Sequence, residues 1–267
     1  MIDLRDVVAA ASEVARKAAA FMQSEQKNFG EKNVETKELN SFVSYVDKTS
    51  ERLIVNELRK ILPKAGFITE EATVDQSSDS EYVWIVDPLD GTTNYIHGLP
   101  FYAVSIGLTY QNIPVAGVIL DCGLNDLYTA WKSGGAYLNN QRIQVRLQAG
   151  LDKALLATGF PYRDYGRIDA FMNLINKTFY KTRGVRRLGS AALDLAYVAA
   201  GRFDLFFEYG LSPWDVAAGI VLVQEAGGEI SDFQGKENYL FGSEIVAGQP
   251  LIFHDFLKLI KESGLTK

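Results

Sequence analysis

An apolar run at residues 83–86 ends abruptly in the segment Asp87-Pro88-Leu89-Asp90-Gly91-Thr92-Thr93-Asn94. Pro88 fixes its own φ and disfavours helical geometry for Asp87, so the chain has to turn where the strand ends. Gly91 lets the backbone approach a ligand, and a helix that starts near Thr92 would point free N–H groups at an anion. Asp, Pro and Gly are common in ordinary turns as well. Two acids and two threonines exceed what a turn needs, and the segment predicts a site for a metal together with a phosphate.

Composition limits the class of protein. With 267 residues, 47% of them hydrophobic, the chain can bury a sizeable core, either as one large domain or as two tightly joined halves. A net charge of −6 argues against a nucleic-acid partner, because affinity for the phosphate backbone depends on clustered Lys and Arg. One basic cluster exists, which could orient a loop or join a dimer interface, although a solvated basic face explains it most simply: Lys181, Arg183, Arg186 and Arg187.

The cysteine and histidine content excludes two kinds of site. A single cysteine, Cys122, cannot form an intrachain disulfide, and together with His97 and His254 it cannot build a usual zinc site. A catalytic metal would therefore need oxygen ligands. The N-terminus lacks a basic region followed by an apolar core, and no stretch approaches about 18 apolar residues, so we expect a cytoplasmic protein without a membrane partner.

The hydrophobic pattern changes along the chain. Helical spacing predicts a helix over residues 3–24 and a second one that ends before Pro63, with Asp47 at its N-cap. Alternation then predicts strands at 102–110, 113–121, 126–131 and 136–145, the last turning at Asn139-Asn140. From about 151 strands and helices alternate: strands at 154–158, 204–208, 229–231 and 244–247, and helices at 167–180, at 190–200, from 212 and from about 250. We expect a layered α/β sandwich, residues 1–267 forming one domain with an α+β half (about 1–150), an α/β half (about 151–267) and the site between them.

Other acids stand at the ends of predicted elements. Glu70 and Glu71 follow the apolar pair Phe67-Ile68, and although adjacent acids are usually solvated, their nearness in sequence to the first acidic segment favours a function. Asp215 falls three residues after Ser212, in the pattern of a capping box. A carboxylate at the start of a helix can still point toward a metal.

These motifs resemble the inositol monophosphatase family, and the resemblance runs through nearly the whole chain. It rests on residues 87–94, on Ile68-Thr69-Glu70-Glu71 before them and on residues 214–219 after them, supported by 101–107, 135–137, 189–192 and 226–228. It implies an αβαβα sandwich and a magnesium-dependent phosphomonoesterase that hydrolyses myo-inositol 1-phosphate by direct attack of an activated water. A homodimer sensitive to lithium is implied as well.

The resemblance also implies roles for individual residues. Two or three Mg²⁺ ions would be held by Glu70, Asp87, Asp90, Asp215 and the carbonyl of Leu89. Asp47 and Thr92 would lie beside the attacking water, with Glu70 assisting. Substrate would contact Asp90, Gly91, Thr92, Gly189, Ser190, Ala191 and Glu208. Hard oxygen ligands suit magnesium, and clustered carboxylates raise one another's pKa when no cation is present. Two departures from the family pattern, Thr69 and the segment 41–44, keep small or hydroxyl-bearing residues, so we expect the geometry to survive, with the segment before Asp47 least certain.

Two alternatives remain open at this point. The same chemistry could act on fructose 1,6-bisphosphate, another sugar or polyol phosphate, histidinol phosphate or a 3′-phosphonucleotide. Glu208 favours a polyhydroxylated substrate, because a carboxylate would repel a second phosphate unless a basic group intervened. The other alternative is a regulatory protein that binds RNA or the transcription machinery, as some bacterial members of the family do.

Overall fold

Helices and strands alternate along the part of the chain that is described. The structure, a computed structural model, describes residues 2–26, 34–38, 41–161 and 165–266, with 34–38 and 41–44 described by their backbone alone. The helices are α1 (Leu4–Gln26), α2 (Tyr45–Ile61), α3 (Thr92–Ile96), α4 (Ile168–Lys181), α5 (Ala191–Ala199), α6 (Pro213–Glu225) and α7 (Pro250–Ser263). The strands are β1 (Val34–Glu38), β2 (Ser41–Ser44), β3 (Gly66–Thr69), β4 (Tyr82–Asp90), β5 (Ala103–Tyr110), β6 (Ile113–Asp121), β7 (Asp126–Trp131), β8 (Gly135–Leu138), β9 (Gln141–Ile143), β10 (Leu155–Thr158), β11 (Gly184–Arg186), β12 (Leu205–Tyr209), β13 (Glu229–Ser231) and β14 (Glu244–Gly248).

Two large sheets organise these elements. The first has seven strands in the order β3-β4-β5-β6-β7-β8-β9, antiparallel throughout except for the parallel pair β3–β4. The second has five strands in the order β11-β10-β12-β14-β13; its first three are parallel, and β14 runs against both of its neighbours. Strands β1 and β2 form a separate antiparallel pair just before α2.

The helices fill three layers around the sheets. Helices α1 and α2 cover one face of the seven-stranded sheet, α5 and α6 lie between the sheets, and α4 and α7 cover the outer face of the five-stranded sheet. All nine residues of α5 are buried, as expected for a helix with a sheet on either side. The αβαβα sandwich expected from the sequence is therefore confirmed.

Strand periodicity assigns side chains to the spaces between layers. In β4, Val83 and Ile85 face the central helices, whereas Trp84 and Val86 face α1 and α2. In β12, Phe206 faces the centre, and its neighbours in the strand pack under α4 and α7. Because alternate side chains point to opposite faces, each sheet joins two apolar cores, and the layers are held in register.

Most predicted elements are confirmed within a residue or two, and two local predictions are wrong. The predicted turn at Asn139-Asn140 separates β8 from β9, both asparagines having positive φ, as a two-residue hairpin turn requires. Asp47 is not an N-cap, because α2 already begins at Tyr45 and places Asp47 inside its first turn. Strand β4 does not end at Asp87; its pairing with β5 resumes at Asp90 after a register shift. Within the described residues, none of the helices combines the length and apolar character needed to cross a membrane.

Candidate active site

One cavity of about 350 Å³ gathers almost all of the predicted site residues. It is lined by Glu70, Asp87, Leu89, Asp90, Gly91, Thr92, Gly189, Ser190, Ala191, Glu208 and Asp215, together with residues that the sequence did not single out. Of the predicted residues, Asp47 alone is not part of the lining of this cavity in the described chain. A second cavity of about 540 Å³ lies against α7 and contains no predicted site residue.

The irregular end of β4 directs two carboxylates toward the cavity. The register shift between Asp87 and Asp90 accommodates Pro88, which cannot donate a ladder hydrogen bond. Asp87 Oδ1 accepts a hydrogen bond from the Leu89 N–H (2.9 Å). Asp90 Oδ2 accepts two hydrogen bonds from the start of α5, from the Ser190 hydroxyl (2.6 Å) and the Ala192 N–H (2.7 Å). The end of β4 is thereby fixed to the helix between the sheets.

A hydroxyl–carboxylate pair lies beside these acids. The Thr92 Oγ1 lies 3.0 Å from Asp47 Oδ1 and 3.1 Å from the Leu89 carbonyl oxygen, so its proton is shared between two acceptors. Asp47 is completely buried behind Thr92. The two residues belong to different elements, α2 and α3, and Asp47 reaches the cavity through Thr92.

Glu70 lies just after β3, on a segment that is anchored by Glu51, the second acid of α2. Glu51 is fully buried, and its Oε2 accepts a hydrogen bond from the Glu71 N–H (2.7 Å). Its Oε1 accepts from both the N–H and the hydroxyl of Thr73 (2.7 Å each). Sequence reasoning missed Glu51, because an acid inside an amphipathic helix gives no sign that it faces the core.

The capping prediction for Asp215 is confirmed. Its Oδ2 accepts a hydrogen bond from the Ser212 N–H (2.7 Å) at the start of α6, and Pro213 occupies the first turn. The same side chain lines the cavity. Capping and contact with the cavity are therefore not exclusive, because a carboxylate has two oxygens and several lone pairs.

Burial and mutual repulsion raise the pKa values of the clustered acids. The pKa of Asp87 lies well above its usual range because the group is buried and because Glu70, Asp90 and Asp215 are close. Burial also raises the pKa of Asp90, to about 6, against the opposing hydrogen bonds from Ser190, Ala192 and Ala191. The sequence predicted such raised pKa values for clustered carboxylates in the absence of a cation.

The chemistry of the donor set fits a hard divalent cation. Carboxylate oxygens and one backbone carbonyl are ligands that Mg²⁺ prefers, and a cation would relieve the repulsion that raises the pKa of Asp87. As the side chains stand, no group of three or more His, Cys, Asp or Glu in the described residues is already arranged to hold a metal ion. Three of the acids direct one oxygen to an N–H or O–H donor of the protein: Asp87, Asp90 and Asp215.

Beside the predicted Glu208, the cavity contains two charged residues that sequence reasoning missed or misplaced. Arg187 lines the cavity, so its assignment to a solvated basic face is wrong, whereas Lys181, Arg183 and Arg186 are exposed as predicted. Burial and the charge of Asp90 raise the pKa of Glu208 to about 8, although Arg187 opposes that rise. Asp194 was missed; burial raises its pKa well above the usual range, helped by Glu208 and Asp90 and opposed by Arg187. Its position four residues after Ser190 was the only sequence signal available.

Comparison with known proteins places the geometry in context. The family model of the inositol monophosphatase family matches residues 3–264. The inositol-1-monophosphatase of Mesorhizobium japonicum is 44% identical over 243 residues, which cover 90% of this chain and 91% of that protein. Nus factor SuhB of Escherichia coli is 42% identical over 248 residues, covering 93% of each chain. The crystal structure of extragenic suppressor protein suhB from Bartonella henselae is similar with a TM-score of 0.87 and 39% identity, covering 94% of this chain and 96% of that one.

Proposed function

This chain belongs to the inositol monophosphatase family, and on that premise we propose that it is a Mg²⁺-dependent phosphomonoesterase that hydrolyses myo-inositol 1-phosphate. The observation that carries the proposal is the convergence of Glu70, Asp87, Asp90 and Asp215 on one cavity that also contains Thr92. Such a set suits phosphoryl transfer, in which positioning and electrostatic stabilisation supply most of the catalysis.

The magnesium part of the proposal follows from the donor set. The four carboxylates and the carbonyl of Leu89 would hold two or three ions. Bound magnesium would offset the charge of the phosphate and lower the pKa of a water. The protein would contribute the placement of these oxygens, since Asp90 and Asp215 are fixed by hydrogen bonds to the starts of α5 and α6.

The Thr92–Asp47 pair would orient the attacking water. Because the Thr92 hydroxyl donates toward Asp47 Oδ1, its lone pairs are free to accept a hydrogen bond from a water in the cavity. Asp47 would then receive the Thr92 proton as the water loses its own, with Glu70 assisting. As the new P–O bond forms, the ester P–O bond breaks, and the leaving oxygen takes up a proton to give the alcohol. No covalent enzyme intermediate is needed.

The opposite end of the cavity would recognise the alcohol. All of the predicted substrate residues line the cavity. We assign Asp90, Gly91 and Thr92 to the phosphate, and Gly189, Ser190, Ala191 and Glu208 to the alcohol. A carboxyl group such as that of Glu208 accepts hydrogen bonds from ring hydroxyls, which favours a polyol over an aromatic or purely apolar alcohol. Glu208→Gln would therefore alter discrimination between inositol 1-phosphate and a simple aryl phosphate more than it would alter magnesium binding.

Further parts of the proposal rest on family membership. They are a homodimer, inhibition by lithium, a cytoplasmic location, and a single functional unit in which the half before about residue 150 and the half after it share one active site. The same chemistry on fructose 1,6-bisphosphate, another sugar or polyol phosphate, histidinol phosphate or a 3′-phosphonucleotide is the alternative within this class.

The test is phosphate release with Mg²⁺ from inositol 1-phosphate, fructose 1,6-bisphosphate, histidinol phosphate and 3′-phosphoadenosine 5′-phosphate, compared as kcat/KM. We expect inositol 1-phosphate to be preferred. Preference for another ester would support the proposed phosphatase activity and assign it a different substrate. No hydrolysis of any ester by protein that binds Mg²⁺ would overturn the proposal.

A second candidate function is regulatory binding of RNA or of the transcription machinery. Several relatives carry the name Nus factor SuhB, which weighs against the expectation that a nucleic-acid partner is absent. The surface at the junction of α4 and β11 exposes Phe179 and Tyr180 (63% and 85%) next to Lys181, Arg183 and Arg186. Aromatic rings beside basic side chains suit a nucleic-acid or acidic partner.

The regulatory candidate is tested with catalytically disabled protein. If Asp90→Asn protein still retains RNA or RNA polymerase in a binding assay, and Lys181→Glu together with Arg183→Glu abolishes that retention, the function is supported. Equal retention by Asp90→Asn and by the Lys181→Glu/Arg183→Glu variant would reject it. Absence of retention by the wild type and by both variants would reject it as well.

A further inference from the structure

Strand β12 ends at the active-site cavity, and its last two residues face opposite layers of the sandwich. Glu208 lines the cavity, together with Gly210, Leu211 and Ser212 of the loop that follows the strand. Tyr209 points the other way and is buried in the core under α4 and α7. Because neighbouring residues of a strand share one backbone, whatever holds the ring of Tyr209 also fixes the position of Glu208.

Arg167, the residue before α4, lies over the ring of Tyr209. Its guanidinium carbon is 4.5 Å from the centroid of that ring and 6.0 Å from the centroid of Phe233. A guanidinium at the shorter distance is attracted by the negative face of an aromatic ring. Phe171 of α4 packs against the same ring, with a centroid distance of 5.5 Å to Tyr209. The start of α4 therefore holds the end of β12 from the outer layer.

Glu244 fixes the guanidinium of Arg167. Nη1 of Arg167 donates a hydrogen bond to Glu244 Oε2 (2.5 Å), and Glu244 Oε1 accepts one from the Phe233 N–H (3.2 Å). The two charged side chains are 25% and 12% exposed, so solvent screens this ion pair less than a surface pair. Glu244 begins β14 and is the register partner of Tyr209 in β12. The ion pair thus joins α4 to the two strands at the point where β12 ends.

The residue before Glu244 holds the loop that follows β12. The Ser243 carbonyl oxygen accepts hydrogen bonds from the N–H groups of Gly210 (2.7 Å) and Leu211 (3.2 Å). Both of these residues line the cavity, whereas neither Arg167 nor Glu244 is among the described residues of that lining. A displacement at the start of β14 would therefore move one wall of the cavity, although the ion pair itself lies outside it.

The position of Glu208 leaves little room for such a displacement. A Cβ at Gly159 would lie 2.0 Å from Oε1 of Glu208, so the carboxyl group lies directly against the backbone after β10. The hydroxyl of Thr158, the last residue of β10, donates a hydrogen bond to the Phe207 carbonyl oxygen of β12 (2.7 Å). A small shift of β12 would change where the carboxyl group of Glu208 points in the cavity.

We propose that Arg167 is a positioning residue for substrate recognition, which with Glu244 keeps the end of β12 in the place where Glu208 meets the hydroxyl groups of the alcohol. This inference rests on the proposed function and adds to that site a residue outside the cavity. Two candidate magnesium ligands, Asp87 and Asp90, lie in β4 of the other sheet. The loss of Arg167 should therefore weaken binding of the alcohol more than it slows the chemical step.

The experiment compares an ester whose alcohol carries ring hydroxyls with one whose alcohol carries none. For the wild type and Arg167→Met, kcat and KM are measured with Mg²⁺ and either inositol 1-phosphate or 4-nitrophenyl phosphate. Methionine keeps an unbranched side chain over Tyr209 and removes the guanidinium. We expect KM for inositol 1-phosphate to rise about tenfold, with kcat changed by less than about twofold. Both constants for 4-nitrophenyl phosphate should stay within about twofold of the wild type.

Three further variants test the physical basis of this effect. Arg167→Lys keeps a cation that can reach Glu244 and lie over the ring, so it should restore most of the affinity for inositol 1-phosphate. The effects of Arg167→Met and Glu244→Gln should be less than additive in the double variant, because each breaks the same ion pair. Arg5→Met, the same change at an exposed position in the first turn of α1, should leave the kinetics of both esters unchanged.

Equal losses on the two esters, or an unchanged KM for inositol 1-phosphate in Arg167→Met, would overturn the inference. Should Arg167→Met fail to fold, Glu244→Gln should raise the same KM several-fold, and an unchanged KM would overturn the inference too.

Amide hydrogen exchange separates this inference from the proposed function. If the wild type does not hydrolyse inositol 1-phosphate, the proposed function has failed, and exchange of the Gly210 and Leu211 amides then tests the role of Arg167 by itself. Faster exchange of these amides in Arg167→Met than in the wild type supports the positioning of the end of β12. Unchanged exchange rejects it.

Discussion

At the scale of single residues, Asp90 has two tasks that reinforce each other. It is a candidate magnesium ligand at the end of β4, and it also accepts hydrogen bonds from Ser190 and Ala192 at the start of α5. These donors counteract the rise in its pKa that burial causes. A carboxylate held in this way is ready to bind a cation near neutral pH.

Asp90→Asn should therefore abolish most of the activity. We expect kcat/KM to fall about a thousandfold, equivalent to about 4 kcal/mol, because a charged ligand is replaced by a neutral one in the site. Steady-state kinetics and Mg²⁺ titration would measure the loss. Ser190→Ala, which removes one donor but keeps the carboxylate, should lose much less. Near wild-type turnover in Asp90→Asn would remove this residue from the mechanism.

Glu208 should make the metal-free protein less stable as the pH rises. Its pKa is raised from 4.5 to about 8, so the folded protein retains a proton that the unfolded chain has released. This contribution to stability is present below about pH 4.5 and is lost as the pH rises toward 8, with a slope of about 1.4 kcal/mol per pH unit at most. The raised pKa values of Asp87 and Asp194 make the protein less stable with rising pH in the same way.

Urea unfolding in EDTA at several pH values between 5 and 8 would measure that dependence. Glu208→Gln should flatten the decline in unfolding free energy, whereas Glu237→Gln on an exposed loop should leave it as in the wild type. Parallel pH profiles for the wild type and Glu208→Gln would show that Glu208 is not the group responsible.

At the scale of elements, α2 connects two sides of the cavity. Asp47 and Glu51 lie one helical turn apart, so they share a face of the helix. Asp47 contacts Thr92 at the start of α3, and Glu51 holds the backbone of Glu71 and Thr73 after β3. A shift of α2 would therefore disturb the Thr92–Asp47 pair and the Glu70 segment together.

Glu51→Gln should weaken magnesium binding without any contact to the metal. The amide cannot accept from both N–H groups, so one buried donor is left unpaired, and the unfolding free energy should fall by about 1–3 kcal/mol. Calorimetric Mg²⁺ titration and hydrogen exchange of the Glu71 amide would measure both effects. Glu13→Gln, the same change at an exposed position of α1, is the matched control. Unchanged affinity and exchange in Glu51→Gln would contradict the positioning role.

The hydrophobic pattern predicted the elements better than their irregular ends. Helices α1, α5 and α6 and strands β5 to β9 follow from periodicity, because their buried faces repeat regularly. The start of α2 could not be predicted from periodicity, because the helix begins without a strong capping residue. The continuation of β4 to Asp90 could not be predicted either, because a register shift interrupts the alternating pattern. The short strand β1 lies in a polar stretch without periodicity, so its pairing with β2 could not be read from the sequence.

The predicted site residues show the same limit. Asp87, Asp90 and Asp215 could be found because they interrupt apolar patterns at the ends of elements. Asp194 and Glu51 lie inside helices, where burial is decided by packing between layers. Arg187 could be placed only once the fold had turned it away from its three basic neighbours.

At the scale of the whole molecule, the cavity is assembled from both large sheets and the helices between them. Glu70 follows β3 of the seven-stranded sheet and Asp87 lies in β4 of the same sheet. Glu208 belongs to the five-stranded sheet, and Asp215 lies in the first turn of α6 between the sheets. A ligand in the cavity contacts all of these layers. Binding energy at the site is therefore coupled to the packing of the entire sandwich.

Saturating Mg²⁺ with inorganic phosphate should raise the Tm of a single unfolding transition. At about 100 times the Kd the gain is about 2.7 kcal/mol, which corresponds to a rise in Tm of roughly 5–10 °C for a chain of this size. Differential scanning calorimetry would measure it, with Asp90→Asn as a variant that should respond less. Two separate transitions, of which only one moves, would contradict the coupling of the layers.

The hydrogen bonds to Asp90 can form only at a late stage of the synthesis of the chain. Ser190 lies 100 positions after Asp90 in the chain. During synthesis the end of β4 leaves the ribosome long before α5 exists, and N-terminal segments fold first. A nascent chain therefore carries acids whose partners have not yet been translated, and the proposed chemistry begins only when the later half arrives.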